Sequence, residues 1–441
     1  MRLLLIVPAA LVLTAASASS QTLRVEAVQV HLSERDTTAQ TVPVTFDIAW
    51  EDSWRDGASW DAAWIFATFE RSAGVWADLR FTPEGATADG TTEATVAPAV
   101  LPAGHARGLV IHRAGDGRGA VRLSVRTTWT YGASFFALPD AGVPVRVLGV
   151  ELAHVPAGAF DLGAEPGNVD RQPNAFRAED GSSFRVASED ALAVGEPGGL
   201  FYDVPEGEAY AGGDQAGPIP EAFPKGTDAF YVMRYPITQG QYADFLSLLP
   251  PRGRAARDVT AYPTYAEKGG TISCTDDGCS AERPARAANF LSWADGIGWA
   301  SWAGLRPMTE LEYEKAASGT PADSARYADG SLPDRADDSD RQSRWGIADL
   351  RGGLWERVVS VGTAEGRSFR GTPGQGYVDD LGYPYAFANP DWPGPRSVGS
   401  GYRGGTEGLL ALGEVSDRTY GAYEATYGNE GQGFRAVLDA P

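Results

Sequence analysis

Thiols, imidazoles and clustered indoles are the groups in this sequence that could react, ligate or stack. The only cysteines, Cys274 and Cys279, stand in Thr-Ile-Ser-Cys-Thr-Asp-Asp-Gly-Cys. In an oxidising compartment two thiols this close are expected to form a local disulfide around the Asp-Asp-Gly turn. So short a loop constrains the unfolded chain only modestly. A reactive thiol pair is the sharper alternative, but nothing cationic adjoins either cysteine to lower its pKa. The four histidines, His31, His105, His112 and His154, show no metal-ligand spacing and read as surface or core groups. Trp50, Trp54, Trp60, Trp64 and Trp76 crowd one part of the chain. Aromatic platforms bind sugars, but indoles also build small β cores, and core packing is the expectation here.

The first residues address the compartment. Arg2 gives a short positive start, Leu3 to Ala15 an apolar run, and Ala16-Ser17-Ala18 small residues for cleavage. This is the pattern of a signal peptide over residues 1–20, too short to span the ~30 Å of a bilayer core as a helix. No later segment is long enough to span, so a secreted, cell-surface or periplasmic protein is expected. The formal net charge is −21, and the lysines are Lys225, Lys268 and Lys315 alone. Such a surface repels phosphate backbones, which excludes nucleic acid as a partner.

The elements that would position these groups fall into two parts, 22–147 and 150–441. In the first, Val42, Val44, Phe46, Ile48 and Trp50 alternate, as do Val121, Leu123, Val125, Thr127 and Trp129. That is the period of strands with one buried face. Ala63 to Phe69 and Leu109 to His112 add strands, and Gly, Pro and Asp cluster between them, so a small antiparallel sandwich is predicted. Beyond Val150 strands shorten and three helix starts stand out: Thr238-Gln239-Gly240-Gln241, Ser292-Trp293-Ala294-Asp295 and Thr309-Glu310-Leu311-Glu312. The first and third are capping boxes. The first helix would carry Tyr242, Phe245, Leu246 and Leu249 on one face, the second would stop at Gly304 and the third at Gly319. Gly163 to Gly226 reads as a long surface insertion.

In order, these segments resemble the formylglycine-generating enzyme (sulfatase-modifying factor) family. His154 to Gly163 is similar to its opening strand, and Pro236-Ile237-Thr238-Gln239-Gly240-Gln241-Tyr242 to its "EVTxxxY" segment. Arg306-Pro307-Met308-Thr309-Glu310 parallels "RLPTEAEWE". Gly346-Ile347-Ala348-Asp349-Leu350-Arg351-Gly352-Gly353-Leu354-Trp355-Glu356 resembles "GLYDMxGNVWE", and Tyr402-Arg403-Gly404-Gly405-Thr406 and Gly433-Phe434-Arg435 resemble the closing "RGGS" and "GFR". Each motif alone is weak, but six in order define a fold. The resemblance implies an irregular α+β, C-type-lectin-like domain behind the small all-β sandwich. The tryptophan-rich stretch from Trp50 to Trp64 also resembles the leading domain of a group of exported bacterial proteins.

The resemblance further implies what chemistry to look for. Catalytic members bind copper through two cysteines just upstream of the closing Gly-Phe-Arg. Here Val415 to Gly433 holds none, so no soft thiolate site for Cu(I) stands there and no copper is expected. The family's calcium site carries over to Asp349, Gly352, Leu354 and Glu356, hard oxygen ligands suited to Ca²⁺; capping of a turn by Asp349 and an ion pair of Glu356 with an arginine is the alternative. Where catalytic members hold substrate, this chain has Tyr420, Tyr423, Tyr427 and Asn429, an expected surface for a peptide, glycan or other surface ligand. The leading expectation is a non-catalytic binding or surface-structural protein. The rivals are a cysteine-independent oxidoreductase, related to siderophore-maturing members of the family, and a diversified lectin-like receptor.

Overall fold

The computed structural model describes residues 23–163, 174–202, 217–319, 342–385, 389–405 and 415–441. The expected signal peptide, parts of the 163–226 insertion and Thr406 lie outside them. Up to Leu162 the described chain is strands joined by short turns: β1 Leu23–Val30, β2 Thr41–Asp56, β3 Ser59–Ser72, β4 Val75–Asp78, β5 Thr87–Gly90, β6 Ala94–Val100, β7 Ala106–Arg113, β8 Gly117–Thr130, β9 Val145–Val155 and β10 Phe160–Leu162. Then come β11 Phe184–Val186, β12 Phe230–Met233, α1 Gln239–Leu248, α2 Pro251–Arg257, β13 Ile272–Thr275, β14 Gly278–Ala281, α3 Trp293–Trp302, β15 Arg306–Pro307 and α4 Glu310–Ala317. The end of the chain adds β16 Trp355–Val359, α5 Ala364–Arg367, β17 Ser400–Arg403, β18 Gln432–Gly433 and β19 Ala436–Asp439. Strands and helices together give the α+β class read from the sequence.

The alternating positions behave as the period predicts. Phe46, Ile48 and Trp50 of β2 stand opposite Val125, Leu123 and Val121 of β8. All six are buried in one cluster with Ile65, Phe69, Leu109, Ile111 and Val147. Strands β2 and β3 pair only at their shared hairpin, Arg55 with Trp60 and Asp56 with Ser59. The layer β1-β2-β8-β5 therefore shares its core with the layer β6-β7-β3-β9.

The boundary expected at 147–150 meets continuous strand pairing. It falls inside β9, which pairs with β3 from Val145 to Ala153 and with β12 from Leu152 to Val155. Among the described residues one sheet runs β15-β19-β12-β9-β3-β2-β8-β5, so the leading strands and the closing strand β19 belong to the same ladder. The physical reason lies in β3. Its other face, Ala62, Trp64 and Phe66, is buried as fully as the first, in a cluster with Trp299 and Trp302 of α3. The Trp64 indole donates to the Ala303 carbonyl at 2.8 Å, and Phe66 meets Trp302 edge to face at 5.1 Å. A strand buried on both faces reads as a continuous apolar run and gives no sign of which layers it joins.

The three helix starts are where the sequence put them. Thr238, Ser292 and Thr309 each accept a hydrogen bond from the third helical backbone N–H, while Gln241, Asp295 and Glu312 reach back to the cap. Each box satisfies two donors that a helix start leaves unpaired. Gly304, at φ +72°, closes the turn after α3, a left-handed conformation that glycine adopts without penalty. These caps fix α3 and α4 against the sheet and thereby set the frame for the closing segment.

Candidate functional site

Strand β16 is the middle of a three-stranded sheet, antiparallel to β17 and parallel to β18. It presents Trp355 and Arg357 to the segment 420–425. Trp355 lies 5.0 Å from the Tyr420 ring and 6.2 Å from Tyr402, and Tyr402 and Tyr420 each lie 5.9 Å from Tyr423. Under them Arg357 is 0% exposed. Its guanidinium stacks on Tyr402 at 4.2 Å and donates to the Tyr402 hydroxyl, the Ser400 hydroxyl and the Ala425 carbonyl at 2.6, 2.6 and 2.8 Å. Burial pulls its pKa down, and the neighbouring phenols oppose this. Tyr423 and Tyr427 share a hydroxyl contact of 3.3 Å, and Tyr427 is half exposed at 51%. Tyr420, Tyr423 and Tyr427 thus share one face. Asn429 does a different job: its side chain accepts from Gly431 N–H and its carbonyl from Phe290 N–H, which shapes the turn.

The segment is anchored by buried charge. Glu310, at the start of α4, accepts from Arg418 Nε at 2.8 Å, Arg403 Nη1 at 3.2 Å and the Val361 N–H at 2.9 Å. Burial works against its charge, but Arg418 and Arg403 outweigh it and hold the carboxyl below its ordinary range. Arg418 also lies 4.0 Å above the Phe176 ring.

The four residues of the expected calcium site sit on one turn, yet Glu356 is already engaged. Its carboxylate takes Arg435 Nε at 3.0 and 2.9 Å and Arg435 Nη2 at 2.7 Å, and both side chains are fully buried. Arg435 also donates to the Met233 and Ala348 carbonyls. Asp349 is buried at φ +59°, and Gly352, at φ +77°, donates its N–H to Gly404 at 2.7 Å. One guanidinium thus takes up part of the accepting capacity of both carboxylate oxygens, and in this arrangement Glu356 serves as an ion-pair partner. The ion pair weighed as the alternative is what the geometry contains. Among the described residues no three His, Cys, Asp or Glu side chains gather as around a metal.

Cys274 and Cys279 are joined in a disulfide, as expected from their spacing. They face each other across the β13–β14 hairpin, and the Ser247 hydroxyl of α1 accepts from Cys279 N–H at 2.8 Å.

One feature escaped the sequence reading. A cleft of about 620 Å³ opens between the end of α2, the start of α3 and the loops bearing Tyr383, Arg396 and Thr426. At its base Arg257 donates to Asp295 at 3.0 Å and to the Tyr383 hydroxyl at 3.0 Å. Burial pushes the Asp295 carboxyl up, and Arg257 pulls against it. Thr426 adjoins Tyr427, and the Gly428 N–H donates to the Tyr262 hydroxyl at 3.0 Å, so the cleft continues the tyrosine face. In the sequence Asp295 reads only as a cap residue, and Arg257 carries no signal.

Residues 197–343 match the family model of the sulfatase-modifying factor enzyme 1-like domain. Over those residues the sequence is similar to that family's domain, and the motifs at Thr238 and Thr309 fall inside the match. No curated protein matches the sequence.

Proposed function

We propose that this chain is an exported binding protein on a sulfatase-modifying-factor scaffold, holding its ligand at the tyrosine face and the adjoining cleft without the family's cysteine-dependent oxidation. One observation carries the reading. The segment upstream of Gly433-Phe434-Arg435 is packed as an aromatic cluster around a buried arginine, and the chain's two thiols are joined to each other in a hairpin. A copper-dependent oxidase needs thiolates free to ligate a soft ion. An aromatic surface with one half-exposed tyrosine instead has the composition of a contact patch. The signal-peptide pattern at residues 1–20 supports export. The test is to incubate the purified mature chain with Cu(I), oxygen and a cysteine-containing peptide and to look for aldehyde by mass spectrometry. No aldehyde is expected. Stoichiometric copper with aldehyde production would overturn the reading.

A further inference from the structure

Resting on that binding reading and deepening it, we infer that the cleft beside the tyrosine face takes an uncharged saccharide. Its volume, about 620 Å³, is in the range of small-molecule sites. Its charge is balanced. Two guanidinium groups, Arg257 and Arg396, face two carboxylates, Asp258 and Asp295. Arg257 and Asp295 are spent on each other at 3.0 Å, and both are more than 90% buried. Asp258 uses one oxygen for the Thr260 N–H and hydroxyl at 2.9 and 2.7 Å. An ionic ligand would find no net opposite charge here and would lose its hydration.

The hydrogen-bonding groups left over suit hydroxyls. The Tyr383 oxygen accepts from Arg257 and the Tyr262 oxygen from Gly428 N–H, so each phenol keeps its proton to donate. Arg396 is an exposed donor, and Thr426 on the rim is an exposed hydroxyl that donates and accepts. Polyhydroxyl ligands meet such mixed demands with uncharged groups. Each half-buried phenol ring has one face taken, Tyr383 by the Arg257 guanidinium at 4.4 Å and Tyr262 by the Phe290 ring at 5.0 Å, which leaves the other face for the C–H face of a sugar. An extended peptide is the less suited occupant. In its strand-adding mode it would need an open sheet edge, whereas helix ends and loops make these walls.

The test uses the full mature chain on an array of neutral hexasaccharides built from glucose, mannose, galactose or N-acetylglucosamine, followed by calorimetric titration of the best binder. At least one hexasaccharide is expected to bind. Thr426→Trp, which fills the cleft mouth from an exposed position, should weaken that binding at least tenfold. Tyr383→Phe, which removes the donated proton together with the oxygen that accepts from Arg257, should weaken it several-fold while lowering the melting temperature only modestly. Absence of binding across the array, or binding that neither variant affects, overturns the inference. Saccharide binding lost in Tyr427→Ala but kept in Thr426→Trp would also overturn it while leaving the broader binding reading intact. Aldehyde formation in the copper assay is the separate result that removes that reading.

Discussion

Removal of Arg435 tests most directly how the family's metal turn is used in this chain. Arg435→Met leaves Glu356 fully buried, with three charge-assisted hydrogen bonds lost, and strips a donor from the Met233 and Ala348 carbonyls. Breaking a buried pair from one side is worth about 3–5 kcal/mol, and each orphaned carbonyl adds about 1 kcal/mol. The loss of about 5–7 kcal/mol is a large share of the ~5–15 kcal/mol that holds a typical domain folded. Glu356→Gln should cost about 3–5 kcal/mol for the mirrored reason, since it strands the Arg435 guanidinium. Replacing both partners, Glu356→Leu with Arg435→Met, should be milder than either single change because no buried charge remains. Urea unfolding with and without a strong chelator measures all three variants, and the chelator should leave the wild type unmoved. If chelation lowered wild-type stability and Glu356→Gln removed that sensitivity, the carboxylate would be serving a cation and the ion-pair assignment would be wrong.

Three further outcomes follow from other parts of the fold. Cys274→Ser with Cys279→Ser should lose about 2 kcal/mol, the loop-closure value for so short a ring, with metal content unchanged by elemental analysis. Asp244 of α1 lines a small apolar cleft against Val147–Val150 and Trp299, where burial raises its carboxyl from 3.8 to about 6. Between those values the folded chain keeps a proton that the unfolded chain has released, so stability should fall as pH rises through that window. The upper bound is about 3 kcal/mol at ~1.4 kcal/mol per pH unit, reduced by partial solvent contact, and Asp244→Asn should flatten the profile. A fragment starting at Gly149 should aggregate, because it cuts β9 and removes the β3 face that covers Trp302; a soluble fragment with one cooperative transition would refute the shared core.

Local chemistry was legible in the sequence where a short-range rule applies. The capping boxes at Thr238 and Thr309 and the start at Ser292 depend on residues three apart, and all three open helices. The pairing of Cys274 with Cys279 depends on residues five apart and also held. Strands β2 and β8 showed themselves because one face of each meets a core and the other does not. Long-range partners were not legible. Glu356 pairs with an arginine 79 positions away, Glu310 with one 108 away, and Asp295 with one 38 away. A carboxylate carried over from a family motif looks the same whether it faces a metal or a guanidinium, and only the fold decides.

The same long-range charge explains how a closing segment with little regular structure holds one shape. Segment 415–432 has few backbone ladder bonds, yet Arg403 and Arg418 converge on Glu310 at the start of a capped helix. That carboxylate also fixes the Val361 N–H and the Ser360 hydroxyl, so one buried anion ties together α4, the end of β16, β17 and the closing segment. Arg357 follows a different rule. Its hydrogen-bond partners are neutral oxygens, and its guanidinium lies on the Tyr402 ring. Buried cations are usually neutralised by a carboxylate, as Arg435 is here. At Arg357 phenols and a carbonyl carry that burden, which couples the orientation of Tyr402, and through it Tyr423 and the half-exposed Tyr427, to a fixed charge. The tyrosine face is therefore held from beneath by the β16 strand, with the Tyr420 and Ala425 carbonyls of the closing segment completing the hold.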